Sequence, residues 1–152
     1  KYAVRIGGGK NHRMGLYDSY LIKENHIEAC GGILPAIKNA NFKKMESKKN
    51  HLVEIEVENI SQVKKILDSQ DLNIYSVDVI MLDNFDINMI KEAIKIRDEF
   101  IKAKSIKKVL FEVSGNIDLF VLKEIAKTNV DYISVGAITK NIKAIDLSLR
   151  VL

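Results

Sequence analysis

The chain of 152 residues, with 47% hydrophobic and 29% charged residues, has the composition of one folded domain and excludes a disordered protein. No apolar run approaches the roughly twenty residues of a membrane-spanning helix, and the first residues lack a secretion signal, so we expect a cytoplasmic protein without membrane contact. The net charge of +4 comes largely from lysine-rich stretches at 43–49 and 102–108. Because no aromatic side chains alternate with those lysines, we expect no nucleic acid partner.

Short apolar runs alternate along the chain with longer segments of helical periodicity. The runs rich in Val, Ile, Leu and Tyr predict five strands, at Tyr20–Lys23, Leu52–Val57, Val77–Leu82, Val109–Val113 and Tyr132–Val135. Segments in which apolar residues recur every three or four positions predict helices at Ile33–Met45, Ile60–Ser69, Ile87–Lys104 and Leu119–Thr128. Since such alternation is typical of a parallel sheet, we predict an α/β fold that forms a single domain over residues 1–152.

Several residues mark the starts of these predicted helices. Asn59, Asp86 and Asp118 each precede a helix and carry a side chain that commonly caps a helix N-terminus. Pro35 lies near the start of the first helix, where proline is tolerated.

Polar residues cluster where the predicted strands end. They are Lys23, Glu56, Asp83, Ser114 with Gly115, and Gly136. The carboxyl ends of parallel strands form the edge at which barrels and open sheets build their ligand sites. Because five strands are too few to close an eight-stranded barrel, we predict an incomplete, TIM-like parallel (β/α) barrel and expect further sequence upstream.

The region 7–26 combines three consecutive glycines with several cationic or potentially cationic side chains. Gly7, Gly8 and Gly9 allow a backbone to approach a ligand closely, and His12, Arg13 and Lys23 supply donors and positive charge. Arg13 can present a planar fork to a carboxylate. This combination predicts a small, multiply negative ligand.

Acidic residues at the strand ends indicate a second half of the same site. Glu56 and Asp83 can hold ribose hydroxyls directly or through hydrated Mg²⁺, which prefers oxygen ligands, and they can stabilise developing positive charge. Glu54 points to the same face as Glu56 by strand alternation, so either glutamate can be the functional one, and we favour Glu56. Glu112 is a third nearby carboxylate.

Two glycine-containing loops are candidates for phosphate binding. Ser114-Gly115 and Gly136-Ala137 each follow a predicted strand, where backbone N–H groups at helix N-termini can hold a phosphate. Short tight turns are the alternative interpretation.

Six motifs give the chain a resemblance to the quinolinate phosphoribosyltransferase family, also called nicotinate-nucleotide pyrophosphorylase. They occur in the family's order at Gly7–Asp18, Leu21–His26, Val53–Val57, Met81–Phe85, Glu112–Ile117 and Ser134–Thr139. The resemblance covers the whole chain and corresponds to the later part of the family's barrel domain. It implies transfer of a phosphoribosyl group from phosphoribosyl pyrophosphate to quinolinate, with Mg²⁺ present and loss of CO₂, in a dimer or higher homo-oligomer with shared sites.

The resemblance also implies roles for individual residues. His12, Arg13 and Lys23 match substrate-contacting positions, and Glu56 and Asp83 match positions that touch the phosphoribosyl group. Lys23, Glu56 and Asp83 are therefore the expected catalytic residues; Ser114, Gly115, Gly136 and Ala137 are expected to bind substrate. The remaining positions are less informative: Asn116 replaces a glycine of many relatives, Lys140 varies and is left out, and Asn25 and His26 either contact ligand or fix the loop.

Two alternatives remain at this point. A molybdenum-associated paralogue shares the glycine and His-Arg features but not the motif at Leu21–His26, which favours the quinolinate enzyme. A non-catalytic phosphate-binding fragment that needs a separate N-terminal chain is the other. Since the family's Thr-Arg-Lys-Thr segment and its N-terminal domain do not occur within these 152 residues, we expect the isolated chain to be nearly inactive.

Overall fold

The computed structural model describes residues 1–70, 73–104 and 108–151, so part of the lysine-rich stretch 102–108 lies outside the described residues. Five strands form one sheet, and all neighbouring strands are parallel. The strands are β1 (Ser19–Ile22), β2 (Leu52–Val57), β3 (Val79–Asp83), β4 (Leu110–Ser114) and β5 (Tyr132–Ile133). The helices are α1 (Tyr2–Ile6), α2 (Glu24–Ala29), α3 (Ile33–Ser47), α4 (Ile60–Asp68), α5 (Ile87–Lys104), α6 (Leu119–Ala126) and α7 (Ala137–Lys140), with a 3₁₀ turn at Asn73–Tyr75.

The strands lie side by side in chain order, from β1 to β5. Right-handed crossovers that always advance in the same direction place their helices on the same face of a sheet, as in a barrel. A doubly wound sheet would instead reverse its strand order at a switch point. The predicted α/β fold with a parallel, TIM-like arrangement is confirmed.

The two faces of the sheet differ in chemistry. One face packs against the helices and is almost fully excluded from solvent: Val53, Ile55, Val57, Ile80, Leu82, Phe111 and Val113 are each at most 1% exposed. The alternate positions form the other face, which we call the inner face; it carries Glu54, Glu56, Met81, Asp83, Glu112 and Ser114. The hydrophobic core thus lies on one side of the sheet, and acidic side chains lie on the other.

The helices begin where their caps predict. The Asn59 side chain accepts a hydrogen bond from the Gln62 amide, and Asp118 accepts from the amides of Phe120 and Val121. Asp86 accepts from the Met89 amide. Among the described residues, no helix is both long and apolar enough to cross a bilayer.

Several predicted boundaries differ from the structure by one or two residues, and short helices were missed. Lys23 does not end β1 but occupies the N-cap position of α2, with an extended backbone. The predicted strand at Tyr132–Val135 shrinks to Tyr132–Ile133, whose two residues pair with Glu112 and Val113 of β4. Helices α1, α2 and α7 have six residues or fewer, too short for a periodic apolar pattern to reveal them.

Candidate active site

A cavity of about 590 Å³ opens at the carboxyl ends of the strands. Its walls come from β1 to β4 and from the loops that follow β4 and β5. The predicted site residues that line it are His12, Lys23, Glu56, Asp83, Ser114, Gly115, Gly136 and Ala137. Residues separated by more than a hundred positions in the chain thus share one space, as the strand-end pattern predicted.

Lys23 and Glu56 form an ion pair on the wall of this cavity. The Lys23 Nζ lies 2.6 Å from the Glu56 Oε2, and the Lys23 side chain is 45% exposed while that of Glu56 is 13% exposed. The hydrogen bond to Glu56 raises the pKa of Lys23 above its ordinary value. Lys23 is therefore a cation at neutral pH, held directly after β1 by a carboxylate of the next strand.

Asp83 is oriented by hydrogen bonds to both of its oxygens. Ser114 Oγ donates to Oδ1 at 2.7 Å, and Asn84 Nδ2 donates to Oδ2 at 2.7 Å. Ser114 is also the β4 residue directly opposite Asp83 in the sheet register. The parallel pairing of β3 and β4 therefore brings this predicted carboxylate and this predicted loop together.

The loop after β4 turns sharply through left-handed backbone conformations. Gly115 has φ +95° and Asn116 has φ +46°, and asparagine tolerates this region better than most residues do. Asp118 already accepts from the first amides of α6. The N-terminus of α6 is thus capped by the Asp118 side chain, and the loop before it lines the cavity.

His12 and Glu54 lie deeper on the inner face. The His12 Nε2 is 3.0 Å from the Glu54 Oε2, and Glu54 is only 5% exposed. Burial and the neighbouring Glu112 carboxylate raise the pKa of Glu54. Glu112 in turn accepts a hydrogen bond from Ser134.

Arg13 is not brought into the carboxyl-edge cavity. It lines a second cavity of about 440 Å³, whose walls also include Glu54 and Glu112, and its Nη1 donates to the Ser19 carbonyl at 3.1 Å. The two cavities share His12 and Ser134. Arg13 and Lys23 therefore lie on opposite sides of a common boundary.

The structure separates the two candidate glutamates by depth. Both project from the inner face, as strand alternation predicted, but only Glu56 lines the carboxyl-edge cavity. Glu54 lies one step lower along β2, where it contacts His12. The geometry favours Glu56 as the residue that faces a ligand at the edge.

The glycine run has a local structural role in this fold. The Gly9 amide donates to the Val4 carbonyl at 2.9 Å, Gly8 has φ +85°, and together they end α1 in the manner of a Schellman motif. None of the three glycines lines either of the two cavities. Their close approach to a ligand stays a prediction.

Two other residues have positions that the sequence left open. Lys140, in α7, lines the carboxyl-edge cavity, whereas the sequence analysis places it outside the site. Its position four residues after Gly136, in the segment that follows β5, is the sequence feature that could have indicated this. His26 Nδ1 accepts from the Lys23 amide at 3.0 Å and so fixes the start of α2.

The fold and the site together define a class: a barrel-type parallel α/β domain whose carboxyl edge presents paired cations and carboxylates. The family model described as quinolinate phosphoribosyl transferase, C-terminal domain, matches residues 1–150. The chain belongs to this family.

Individual relatives agree with the family match. A mitochondrial quinolinate phosphoribosyltransferase [decarboxylating] from Nicotiana tabacum is 39% identical over 99% of this chain and 43% of its own length. A probable nicotinate-nucleotide pyrophosphorylase [carboxylating] from Methanocaldococcus jannaschii is 44% identical over 99% of this chain and 50% of its own length. The solved nicotinate-nucleotide pyrophosphorylase of Francisella tularensis is 50% identical, with a TM-score of 0.79, over 97% of this chain and 46% of that chain. This chain spans about half the length of the relatives it matches.

Proposed function

We propose that this domain belongs to an enzyme that transfers a phosphoribosyl group from phosphoribosyl pyrophosphate to quinolinate in NAD biosynthesis. The products are nicotinate mononucleotide, pyrophosphate and CO₂. The observation that carries the proposal is the convergence of Lys23, Glu56 and Asp83, with His12, on one cavity at the carboxyl edge of the sheet. The activities in the names of the relatives support the same reaction.

The cationic side chains are suited to a pyridine dicarboxylate. Lys23 is a fixed cation in the carboxyl-edge cavity, Arg13 is a cation in the adjoining cavity, and His12 lies between them. In this proposal a dianion spans that boundary, so that each carboxylate meets a charged donor. Arg13 Nη1 donates to the Ser19 carbonyl, and the guanidinium carries further N–H groups that can meet the substrate.

The acidic side chains are suited to the sugar. In the reaction the pyridine nitrogen forms a bond to the anomeric carbon while the bond from that carbon to the pyrophosphate oxygen breaks. The anomeric carbon gains positive charge on the way, and carboxylates placed beside it stabilise that charge. Loss of CO₂ then breaks the bond between the ring and the 2-carboxylate, leaves its electron pair on the ring carbon, and a proton replaces the lost group.

A magnesium ion fits the donors at this edge. Mg²⁺ prefers oxygen ligands and retains several waters, and Glu56 and Asp83 present carboxylates on a cavity wide enough for hydrated contacts. These two residues would hold the ion through water. When bound, the ion would neutralise charge on the departing pyrophosphate.

The 5-phosphate is proposed to lie against the loops after β4 and β5. The backbone of Gly115 reaches into the cavity without a side chain, and Gly136 and Ala137 lie on the same wall. Lys140 adds a cation to that wall. This arrangement matches the chemistry of a phosphate monoester.

Substitution of the two cations tests the proposal in the protein that carries this domain. Lys23→Ala and Arg13→Ala should each lower kcat/KM for quinolinate by about a hundredfold, because a bound carboxylate loses its partner. Lys43→Ala is the control: within the described part of the chain Lys43 forms an ion pair only with the exposed Glu46 on α3, so the kinetics of this variant should stay within about twofold of the unaltered protein. Pyrophosphate and CO₂ release are measured. If the unaltered protein binds quinolinate but releases neither pyrophosphate nor CO₂, the result would favour a non-catalytic role. Near-normal kinetics in both variants would refute the assigned contacts of Lys23 and Arg13.

Assembly and location remain predictions. A homodimer or higher homo-oligomer follows from the family resemblance and would be measured by sedimentation equilibrium. A cytoplasmic location is likewise a prediction from the sequence; some relatives have mitochondrial or chloroplastic names.

A further inference from the structure

His12 comes from a segment that lacks regular structure of its own. Residues 9–18 form neither a helix nor a strand. The segment is tied down at its backbone, because Lys1 Nζ donates to the carbonyls of His12 and Arg13 at 3.0 and 2.9 Å. These contacts place the backbone of His12 but leave its imidazole ring free to rotate.

The ring is held instead by a residue of the sheet. Glu54 is in the middle of β2, paired on one side with Leu21 of β1 and on the other with Val79 of β3. Its Oε2 meets the His12 Nε2 at 3.0 Å, and its side chain is 7% exposed against 33% for His12. A buried acceptor on a central strand is thus the rigid partner of a ring carried by a loop.

This contact determines which ring nitrogen can face a ligand. A carboxylate accepts hydrogen bonds, so the Nε2 carries a hydrogen toward Glu54. Nδ1 is then the atom left to meet a group in the cavities that His12 borders. Nδ1 donates to a negative group there when it, too, carries a hydrogen.

We propose that Glu54 is a positioning residue for substrate binding: it holds the His12 imidazole so that Nδ1 donates to one carboxylate of the pyridine dicarboxylate. The inference rests on the proposed function for the identity of the ligand. Glu54 acts through His12 and touches no reacting atom.

Glu112 provides a matched comparison. It occupies the same face of the sheet on β4, is 8% exposed against 5% for Glu54, and offers a carboxylate oxygen within 4.8 Å of ligand atoms of His12 and Glu54. Its hydrogen-bond partner is Ser134 rather than His12. If removal of any buried carboxylate has a general effect, the Glu54 and Glu112 variants should therefore show it equally. If Glu54 positions His12, only the Glu54 variant should change the His12 ring.

The experiment compares Glu54→Met, Glu54→Gln and Glu112→Met in the protein that carries this domain. The ring ¹⁵N chemical shifts of His12 report its tautomer, and the His12 signals are assigned as those that disappear in His12→Gln. Steady-state kinetics give KM for each substrate. Glu54→Met should abolish the preference for hydrogen on Nε2 and raise KM for quinolinate about tenfold, as for one lost charge-assisted hydrogen bond. KM for phosphoribosyl pyrophosphate and kcat should change by less than about threefold.

The other two variants complete the test. Glu54→Gln keeps an oxygen that can accept from Nε2–H, so it should restore the tautomer and part of the quinolinate affinity. Glu112→Met should leave the hydrogen on the His12 Nε2 in place, because Glu112 bonds to Ser134 and the Glu54 acceptor is still present. Equal effects of Glu54→Met and Glu112→Met, or an unchanged tautomer in Glu54→Met, would overturn the positioning role.

Failure of the proposed function gives a different result. If the unaltered protein neither binds nor converts quinolinate while Glu54→Met still changes the His12 tautomer, the contact is real but its ligand assignment is overturned.

Discussion

Gly115 and Gly136 look alike in the sequence, since each follows a strand and opens a predicted phosphate loop, yet their backbones differ. Gly115 has φ +95°, and a Cβ built there would collide with the Asn84 side chain and backbone amide. Gly136 has φ −63°, and nothing lies within 4 Å of a Cβ at that position. Only the first position requires glycine for conformational reasons.

Gly115→Ala should therefore lower the free energy of unfolding by about 2 kcal/mol, through backbone strain and displacement of Asn84. Gly136→Ala, the control, should change it by less than about 0.5 kcal/mol. Urea unfolding followed by circular dichroism measures both. Equal losses would show that the loop after β4 does not need its left-handed turn.

At the scale of helices and strands, the structure repeats one arrangement at two strand starts. Asp78, just before β3, accepts from the Val53 amide of β2 and pairs with Lys44 of α3. Asp131, just before β5, accepts from the Phe111 amide of β4 and pairs with Arg97 of α5 at 2.5 Å. In each case one aspartate links a helix to the strand that follows it in the chain. The Asp131 carboxylate also explains how the charged Arg97 side chain can be only 3% exposed.

Asp131→Asn should destabilise the fold by about 3 kcal/mol, because it removes the less exposed of the two carboxylates that contact the buried Arg97 guanidinium. Asp98→Asn is the control; Asp98 also contacts Arg97, at 3.0 Å, but its side chain is 50% exposed, so the loss should stay below about 1 kcal/mol. Thermal and urea unfolding at pH 7 compare the two variants. Similar losses would remove the special role of Asp131.

The ion pair of Asp131 and Arg97 predicts that the free energy of unfolding depends on pH. Burial alone would raise the pKa of Asp131, but hydrogen bonds from Lys108 and the Phe111 amide, with the Arg97 charge, outweigh it and hold the pKa below 3.8. A carboxyl whose folded-state pKa is lowered stabilises the fold above its unfolded pKa and loses that contribution as pH falls through the folded value. The stability gap between the unaltered protein and Asp131→Asn should hold from neutral pH to about 4 and narrow below it. A gap that stays constant to pH 2 would contradict this.

Across the whole molecule, the sheet divides an apolar core from an inner face that carries four carboxylates. Glu54 shows that carboxylates on this face can lower the stability of the fold. It is buried, and its Oε1 has no hydrogen-bond partner among the described residues. Burial and the Glu112 charge raise its pKa, so its ionised form destabilises the fold at neutral pH. A residue retained at such a cost fits a role in ligand binding.

Glu54→Met should accordingly raise the free energy of unfolding by about 1 kcal/mol at pH 7, while it weakens quinolinate binding. The gain should shrink as pH falls, because the unaltered Glu54 takes up a proton and the buried charge disappears. Glu58→Met, at an exposed position after β2, should change stability by less than about 0.5 kcal/mol. Urea unfolding at pH 7 and pH 4 measures the difference; a loss of stability in Glu54→Met would contradict the argument.

The sequence by itself determined the parallel α/β fold, the face of each strand and the edge at which the polar residues meet. These features follow from local periods of two and 3.6 residues and from side chains at strand ends, so Lys23, Glu56, Asp83 and Ser114 could be grouped before any coordinates. Only the tertiary structure decided how deep each of these side chains lies and into which cavity it points. It set Glu54 below Glu56 and turned Arg13 into the adjoining cavity, because loop paths and strand register depend on contacts between distant residues that no local pattern encodes.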